Sequence, residues 1–327
     1  MQNPADYARA LTPSGRRNLA LARGRLHAQE RKPGLTNLTA QGIVLNDDIP
    51  VHWYEVGEPD ADVTVVYIHG FTLAAEAFYQ QVDALRGSGV RQVLMDLRGH
   101  GQTGAVRPER CSVDEAADDV WAVMREREVR GPVIVVGHSL GGLVALSLIR
   151  RYGHEFTAAG AILINASVEA LTDQGIPQIL ATPAADAVYS AVEAAPEEAD
   201  KFRNEVTKII APGLAVTIFH RDTDYELIDF HAAMIHETPL ETYVGYFDDL
   251  QEHEELQAGV ALTDVPGYVL VGAQDDVTPL SQAQRIQDIW PESYLQVIPN
   301  AGHMLPLEAP DVVNAAIQRL VGLVCQR

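Results

Sequence analysis

Two cysteines in 327 residues, Cys111 and Cys325, leave no material for a disulfide framework. They read as two reduced thiols. No run of 18 or more apolar residues occurs, so no transmembrane helix is expected. The N-terminus lacks the apolar h-region of a signal peptide. Together these absences predict a cytoplasmic protein. Basic residues are also scarce: 24 Lys+Arg stand against 45 Asp+Glu, for a formal net charge of -21. Nucleic acid is gripped through basic surface, so this balance argues against such a partner. Internal repeats and low-complexity tracts are missing as well.

The chain does have the size and the apolar content, 47%, for one large α/β domain with an insertion, or for two domains. Its charge is uneven. Residues 1–40 hold seven Lys/Arg against two Asp/Glu, a net of +5, which leaves -26 on the remainder. Residues 1–35 read as a basic N-terminal extension. Leu19, Ala22 and Leu26 fall at helical spacing among Arg16, Arg17, Arg23 and Arg25. A basic amphipathic helix can rest on a membrane surface. Here the apolar face is small and has no aromatic residue, so packing against the acidic body or a second copy is expected instead.

Residues 36–57 predict a hairpin turning at Asn46-Asp47-Asp48. Val63–Ile68, Val90–Met95, Val133–Val136 and Ala161–Ile164 read as strands, with helices over Ala74–Leu85 and Ser112–Val129 between them. Ser112 is the expected cap of the second helix, with Glu115 at the capping-box position. Alternation of this kind implies a mostly parallel sheet covered on both faces. The rhythm breaks near Ser167. Through about Gly259 the chain has helical periodicity and no comparable apolar β-run. It resumes with the strand Gly267–Val271, a helix over Ser281–Ile289, the strand Tyr294–Ile298 and a closing helix over Ala309–Val324.

Chemistry concentrates after the strand Val133–Val136, at Gly137-His138-Ser139-Leu140-Gly141, where a helical run follows. Strand, G-x-S-x-G, helix is the nucleophile-elbow arrangement. Side chains at Gly137 and Gly141 would clash where the backbone folds back on itself. Serine is a weak nucleophile until a base, itself oriented by a third group, takes its proton. The chain order for this elbow is Ser, acid, His. Gly272-Ala273-Gln274-Asp275-Asp276 follows one later strand and Asn300-Ala301-Gly302-His303 the last, which points both at the sheet edge of Ser139.

The ordered set His69-Gly70-Phe71, Asp96-Leu97-Arg98-Gly99-His100-Gly101, Gly137–Gly141, Gly272–Asp275 and Gly302-His303 resembles the α/β-hydrolase family, in its capped esterase, lipase and C–C hydrolase group. The resemblance spans about residues 40–325. It implies an eight-stranded, mostly parallel sheet flanked by helices, with a helical cap inserted. The core would be 36–166 and 260–327, and the cap 167–259. Carried over, Ser139 is the nucleophile, His303 the base and Asp275 the orienting acid, selected over Asp276 by the family's strand–G-x-x-D spacing. Some relatives place the acid after the strand preceding the cap. Here that position reads Asn165-Ala166-Ser167, without a carboxylate. The backbone N–H groups of Leu140 and Phe71 are the implied oxyanion donors. His69 and His100 are expected to be structural, Arg98 to pair, and His138 to pack beneath the elbow.

Two patterns imitate other sites. Gly99-His100-Gly101-Gln102-Thr103-Gly104 is a literal G-x-G-x-x-G, but a dinucleotide site needs a helix to open there, and Ala105-Val106-Arg107-Pro108 does not open one. His253-Glu254-Glu255-Leu256-Gln257 lacks the second imidazole of a zinc H-E-x-x-H. His231 and His236, five apart, fall on different helix faces. No cofactor and no metal are expected. The predicted activity is that of a serine carboxylesterase, lipase-like, acting on a small hydrophobic ester. The same triad could serve C–C hydrolysis, acyl transfer or cofactor-free peroxidase chemistry. A ligand-binding receptor on the same fold is the non-enzyme alternative. Leu180, Val188, Tyr189, Ile218, Phe219, Phe230, Met234, Ile235, Tyr243 and Phe247 are the apolar cap residues available to a pocket. Both a monomer and a homo-oligomer fit the sequence.

Overall fold

Eight strands form one sheet: β1 (Ala40–Asn46), β2 (Ile49–Val56), β3 (Thr64–Ile68), β4 (Arg91–Met95), β5 (Pro132–His138), β6 (Thr157–Ile164), β7 (Gly267–Gly272) and β8 (Ser293–Ile298). Their spatial order is β1-β2-β4-β3-β5-β6-β7-β8. The computed structural model describes residues 33–170, 218–221 and 223–326. β1 and β2 pair antiparallel down to Asn46↔Ile49. Asp47 and Asp48 close the hairpin with left-handed φ values of 46° and 68°. Two successive residues at positive φ make the turn whose twist matches the strands. β2 and β4 are antiparallel, and every later pairing is parallel.

The described helices longer than four residues are α1 (Tyr79–Ala84), α2 (Val113–Glu126), α3 (Leu140–Tyr152), α4 (Tyr225–Glu237), α5 (Leu240–Glu252), α6 (Leu280–Ile289) and α7 (Pro310–Val324). β3, β5 and β7 are mostly apolar because both of their faces are covered. Val133 and Val135 of β5 join a core with residues of α2, α3 and α6. Ile134 and Val136, pointing the other way, join a core with residues of α1 and α7.

Local rules gave way to tertiary partners in two places. The helix expected over Ala74–Leu85 is a 3-10 turn, Ala75–Phe78, followed by the short α1. The first N–H of that turn, from Ala75, is taken by the Asp96 carboxylate at 2.8 Å, a cap supplied from another strand's end. At α2 the Ser112 hydroxyl accepts from Glu115 N–H at 3.2 Å, as a cap should. The Glu115 carboxylate completes no return bond to the Ser112 N–H; it pairs with Arg98 and Arg110 at 3.1 and 3.0 Å. Full guanidinium charges outcompete one backbone donor.

Of the segment 167–259, residues 171–217 and 222 lie outside the described residues, and so do Leu180, Val188, Tyr189 and residues 1–32 of the basic extension. The described part carries α4 and α5. Helix α5 lies over the loop after β4: Thr242 Oγ1 donates to the Gly99 carbonyl at 2.6 Å, and Tyr246 Oη to the Arg98 carbonyl at 3.3 Å. In that loop Gly101–Thr103 is a single 3-10 turn, and the next α-helix begins only at Val113. Arg98 makes a two-pronged pair with the buried Asp119 at 2.7 and 2.8 Å. Among the described residues, no helix is long and apolar enough to cross a membrane.

Candidate active site

The carboxyl ends of parallel strands are where an open α/β sheet places its ligands. Ser139 follows β5 immediately, with φ 54° and ψ -121°. Serine rarely adopts that conformation, and here the surroundings impose it. A Cβ on Gly137 would lie 2.3 Å from the Gly141 carbonyl, and one on Gly141 would lie 2.1 Å from that of Ile68. Only glycine permits so tight a return. The hydroxyl-bearing residue is thus lifted to the start of α3, while its neighbours His138 and Leu140 stay buried.

Asp275, three residues beyond β7, meets His303, five residues beyond β8. The His303 Nδ1 lies 2.9 Å from Oδ2 and 3.1 Å from Oδ1 of the carboxylate. Nδ1 therefore carries the proton, and Nε2 keeps its lone pair. Oδ1 also accepts from the Val277 and Thr278 N–H groups at 2.8 and 3.0 Å, and Oδ2 from the Thr278 hydroxyl at 2.7 Å. Burial alone would raise the pKa of Asp275. The interaction with His303 and these hydrogen bonds outweigh it and hold the group down at about 2. Asp276 is exposed. Asn165, at the end of β6, donates its amide both to Asp275 Oδ2 and, at 3.2 Å, to the Gly302 carbonyl. It occupies the position where a second carboxylate would compete.

Three buried histidines tie the loops around Ser139. His69 donates from Nδ1 to the Gly70 carbonyl at 2.8 Å and accepts the Leu97 N–H at Nε2 at 2.9 Å. His100 donates to the Arg98 carbonyl at 3.0 Å and accepts the Thr72 N–H at 3.1 Å. Between them they fix the loop that carries Phe71. His138 does more than pack beneath the elbow: its Nε2 donates to the His303 carbonyl at 2.9 Å. Burial lowers the pKa of each, to about 4 for His69 and about 3 for His100 and His138. All three are neutral, as the paired donor and acceptor roles of His69 and His100 require. Gly70 is pressed against the elbow; a Cβ there would sit 2.9 Å from His138 Nδ1 and 3.0 Å from Ser139 Cβ.

Ser139, His303, Phe71 and Leu140 line one cavity of about 150 Å³. Leu140 opens α3, where the first N–H groups have no intrahelical partner and the helix dipole favours negative charge. Of the apolar residues expected between cap and sheet, Ile218, Ile235, Tyr243 and Phe247 line this cavity. Phe219 and Met234 are buried in a separate cluster with Leu73 and Leu307, and Phe230 packs against it. Leu143, Ser167, His231, Gln251 and Thr278 line the cavity too, and sequence reasoning did not find them there. Glu308 was also missed. Its carboxylate accepts the Gly302 N–H at 2.7 Å and the His220 and Arg221 N–H groups at 3.0 Å each. It thereby clamps the His303 loop to the chain entering α4.

Away from this cavity, Asp114, His253 and Glu255 bring potential ligand atoms within 4.8 Å of one another. The Arg150 guanidinium already sits among them, 3.0 Å from Asp114 and 2.8 Å from Glu255. The cluster is an ion-pair network centred on that cation.

A model of the alpha/beta hydrolase family matches residues 65–316. The AB hydrolase superfamily protein YisY of Bacillus subtilis (strain 168) is 27% identical over 256 residues, 77% of this chain and 89% of that protein. The pimeloyl-[acyl-carrier protein] methyl ester esterase of Neisseria meningitidis (strain H44/76) is 26% identical over 246 residues, 75% of this chain and 87% of that one. Among solved structures, a thermophilic esterase from Thermogutta terrifontis superposes with a TM-score of 0.69 at 23% identity, covering 88% of this chain and 99% of its own. The family model spans more than half of the chain and all five motif elements between β3 and α7, so this protein belongs to the alpha/beta hydrolase family.

Proposed function

We propose that this protein is a serine hydrolase that cleaves a carboxylic ester of a small hydrophobic substrate through an acyl-enzyme. Ser139 is the nucleophile, His303 its base and Asp275 the acid that holds the imidazole in its working tautomer. The observation that carries the reading is the His303–Asp275 pair, 2.9 Å apart, on the same cavity as a serine in a left-handed elbow. His303 Nε2 takes the Ser139 proton as the hydroxyl attacks the carbonyl carbon. Negative charge moves to the carbonyl oxygen, where the Phe71 and Leu140 N–H groups receive it. His303 then gives its proton to the departing alkoxide. Water attacks the acyl-enzyme by the same route in reverse and releases the acid. Residues 167–259 act as a helical cap over the core segments 36–166 and 260–327, so that α4 and α5 wall the substrate. The esterase named among the relatives supports the ester class. A largely apolar lining supports an uncharged, hydrophobic ester.

The test is turnover of p-nitrophenyl butyrate together with labelling by a fluorophosphonate probe. Ser139→Ala should lose both, with kcat falling by up to about 10⁶-fold. Full activity in that variant, or a wild type that neither labels nor turns over any ester, would overturn the reading.

A further inference from the structure

Helix α4 brings into the cavity a histidine that the ester mechanism does not use. His231 lines the cavity with Ser139 and His303 and is only 2% exposed. Its Nδ1 is buried without a hydrogen-bond partner among the described residues. On one side the ring meets Phe219 edge-on, with centroids 5.5 Å apart. Buried polar atoms left unpaired are costly and uncommon. A neutral imidazole offers one N–H and one lone pair. Burial and the nearby His303 both lower the pKa of His231, to about 3, so the ring is neutral. The described lining contains no carboxylate, ammonium or guanidinium group. A charged substrate group would find no counter-ion there, and the flanking Ile235 and Phe247 offer only apolar contact.

We propose that His231 is a substrate-anchoring residue that selects esters carrying an uncharged hydroxyl or oxo group within a few bonds of the scissile carbonyl. Such a group supplies both a donor and an acceptor, or an acceptor alone, to the unmet imidazole. The rest of the substrate fills the apolar wall. A purely alkyl ester offers the imidazole no hydrogen-bond partner, and sites built to bond a hydroxyl discriminate against analogues that lack it. The inference rests on reading Ser139 and His303 as the reacting pair.

Three matched esters test it: ethyl butyrate, ethyl 3-hydroxybutyrate with the hydroxyl on the acyl side, and 2-hydroxyethyl butyrate with it on the alcohol side. Wild type should prefer one hydroxylated ester by about tenfold in kcat/KM, mostly through KM. The favoured ester tells which side of the bond His231 serves. His231→Leu should bring that ratio to about one or below, and His231→Asn, which keeps a donor and an acceptor, should restore part of it. The Asn variant is read alone if the Leu variant fails to fold. Wild-type ratios near one, or ratios that do not change on substitution, overturn the proposal. A binding arm separates this from the ester reading: Kd values of the three esters are measured on the Ser139→Ala protein, where turnover plays no part. A preference there that His231→Leu removes supports His231 as an anchor whether or not any ester is hydrolysed. Equal Kd ratios in both overturn it.

Discussion

Unfolding this protein in mild acid should consume an unusual number of protons. His69, His100, His138 and His231 are buried and neutral, with pKa values near 4, 3, 3 and 3. Unfolded, each returns to about 6.5. The folded values are depressed, so each histidine's stabilisation is complete above the unfolded pKa. It is lost as pH falls from about 6.5 toward the folded values. At pH 5.5 an unfolded imidazole is about nine-tenths protonated and a folded one hardly at all, so the four take up about 3.5 protons on unfolding. That corresponds to stability falling by about 5 kcal/mol per pH unit. Asp275, held at about 2, is ionised in both states at this pH and adds nothing. His253 has a raised pKa and contributes with the opposite sign, its stabilisation lost as pH rises through the folded value. Carboxyls raised mainly by burial, such as Glu76 and Asp249, subtract from the total. The assay is a difference titration of native against guanidinium-unfolded protein at constant ionic strength, which assumes no two-state transition. His100→Asn, compared with wild type, isolates one group and should lower the uptake at pH 5.5 by about 0.9 proton. A change below about 0.3 proton would refute the assignment of a buried, neutral imidazole.

Two further outcomes follow from the hydrogen bonds around His303. Asp275→Asn removes the acceptor that fixes the Nδ1–H tautomer, so kcat for ester hydrolysis should drop about 10⁴-fold with KM little changed; a loss under tenfold in steady-state kinetics would contradict the assigned role. Glu308→Gln exchanges a charged acceptor of three N–H bonds for a neutral amide and should cost about 2–4 kcal/mol in chemical denaturation. Because Gly302 is one of the three donors, kcat should fall with stability, and stability lost at unchanged kcat would show that the clamp does not reach His303.

The chain's own pattern specified most of the scaffold. β3, β5 and β7 are covered on both faces and mostly apolar, so they stand out without any knowledge of their neighbours. Ser139 is legible for a different reason: the elbow needs glycine on both sides, and that demand is local. Asp275 and His303 are legible because each follows a strand end by a few residues, which fixes the sheet edge they reach.

What could not be read are the contacts between segments far apart in sequence. Asn165 meets Asp275 across 110 residues, and Glu308 meets Arg221 across 87. An asparagine after a strand and a glutamate in a short helical turn carry no mark of those partners. Ala75 and Glu115 show the same limit at short range, where Asp96, Arg98 and Arg110 from other elements displaced the bonds that local capping rules predict. His231 is the sharpest case. In sequence it is one of 11 histidines and invites comparison only with His236 on the same helix. The fold buries it on the same cavity as His303, with Nδ1 unpaired among the described residues. By itself the sequence determined the sheet, the elbow and the strand-end loops that carry Asp275 and His303, because backbone geometry imposes those demands locally. Tertiary structure alone decided which side chains surround the reacting atoms, because burial and hydrogen-bond partnership depend on segments that meet only when the chain has folded.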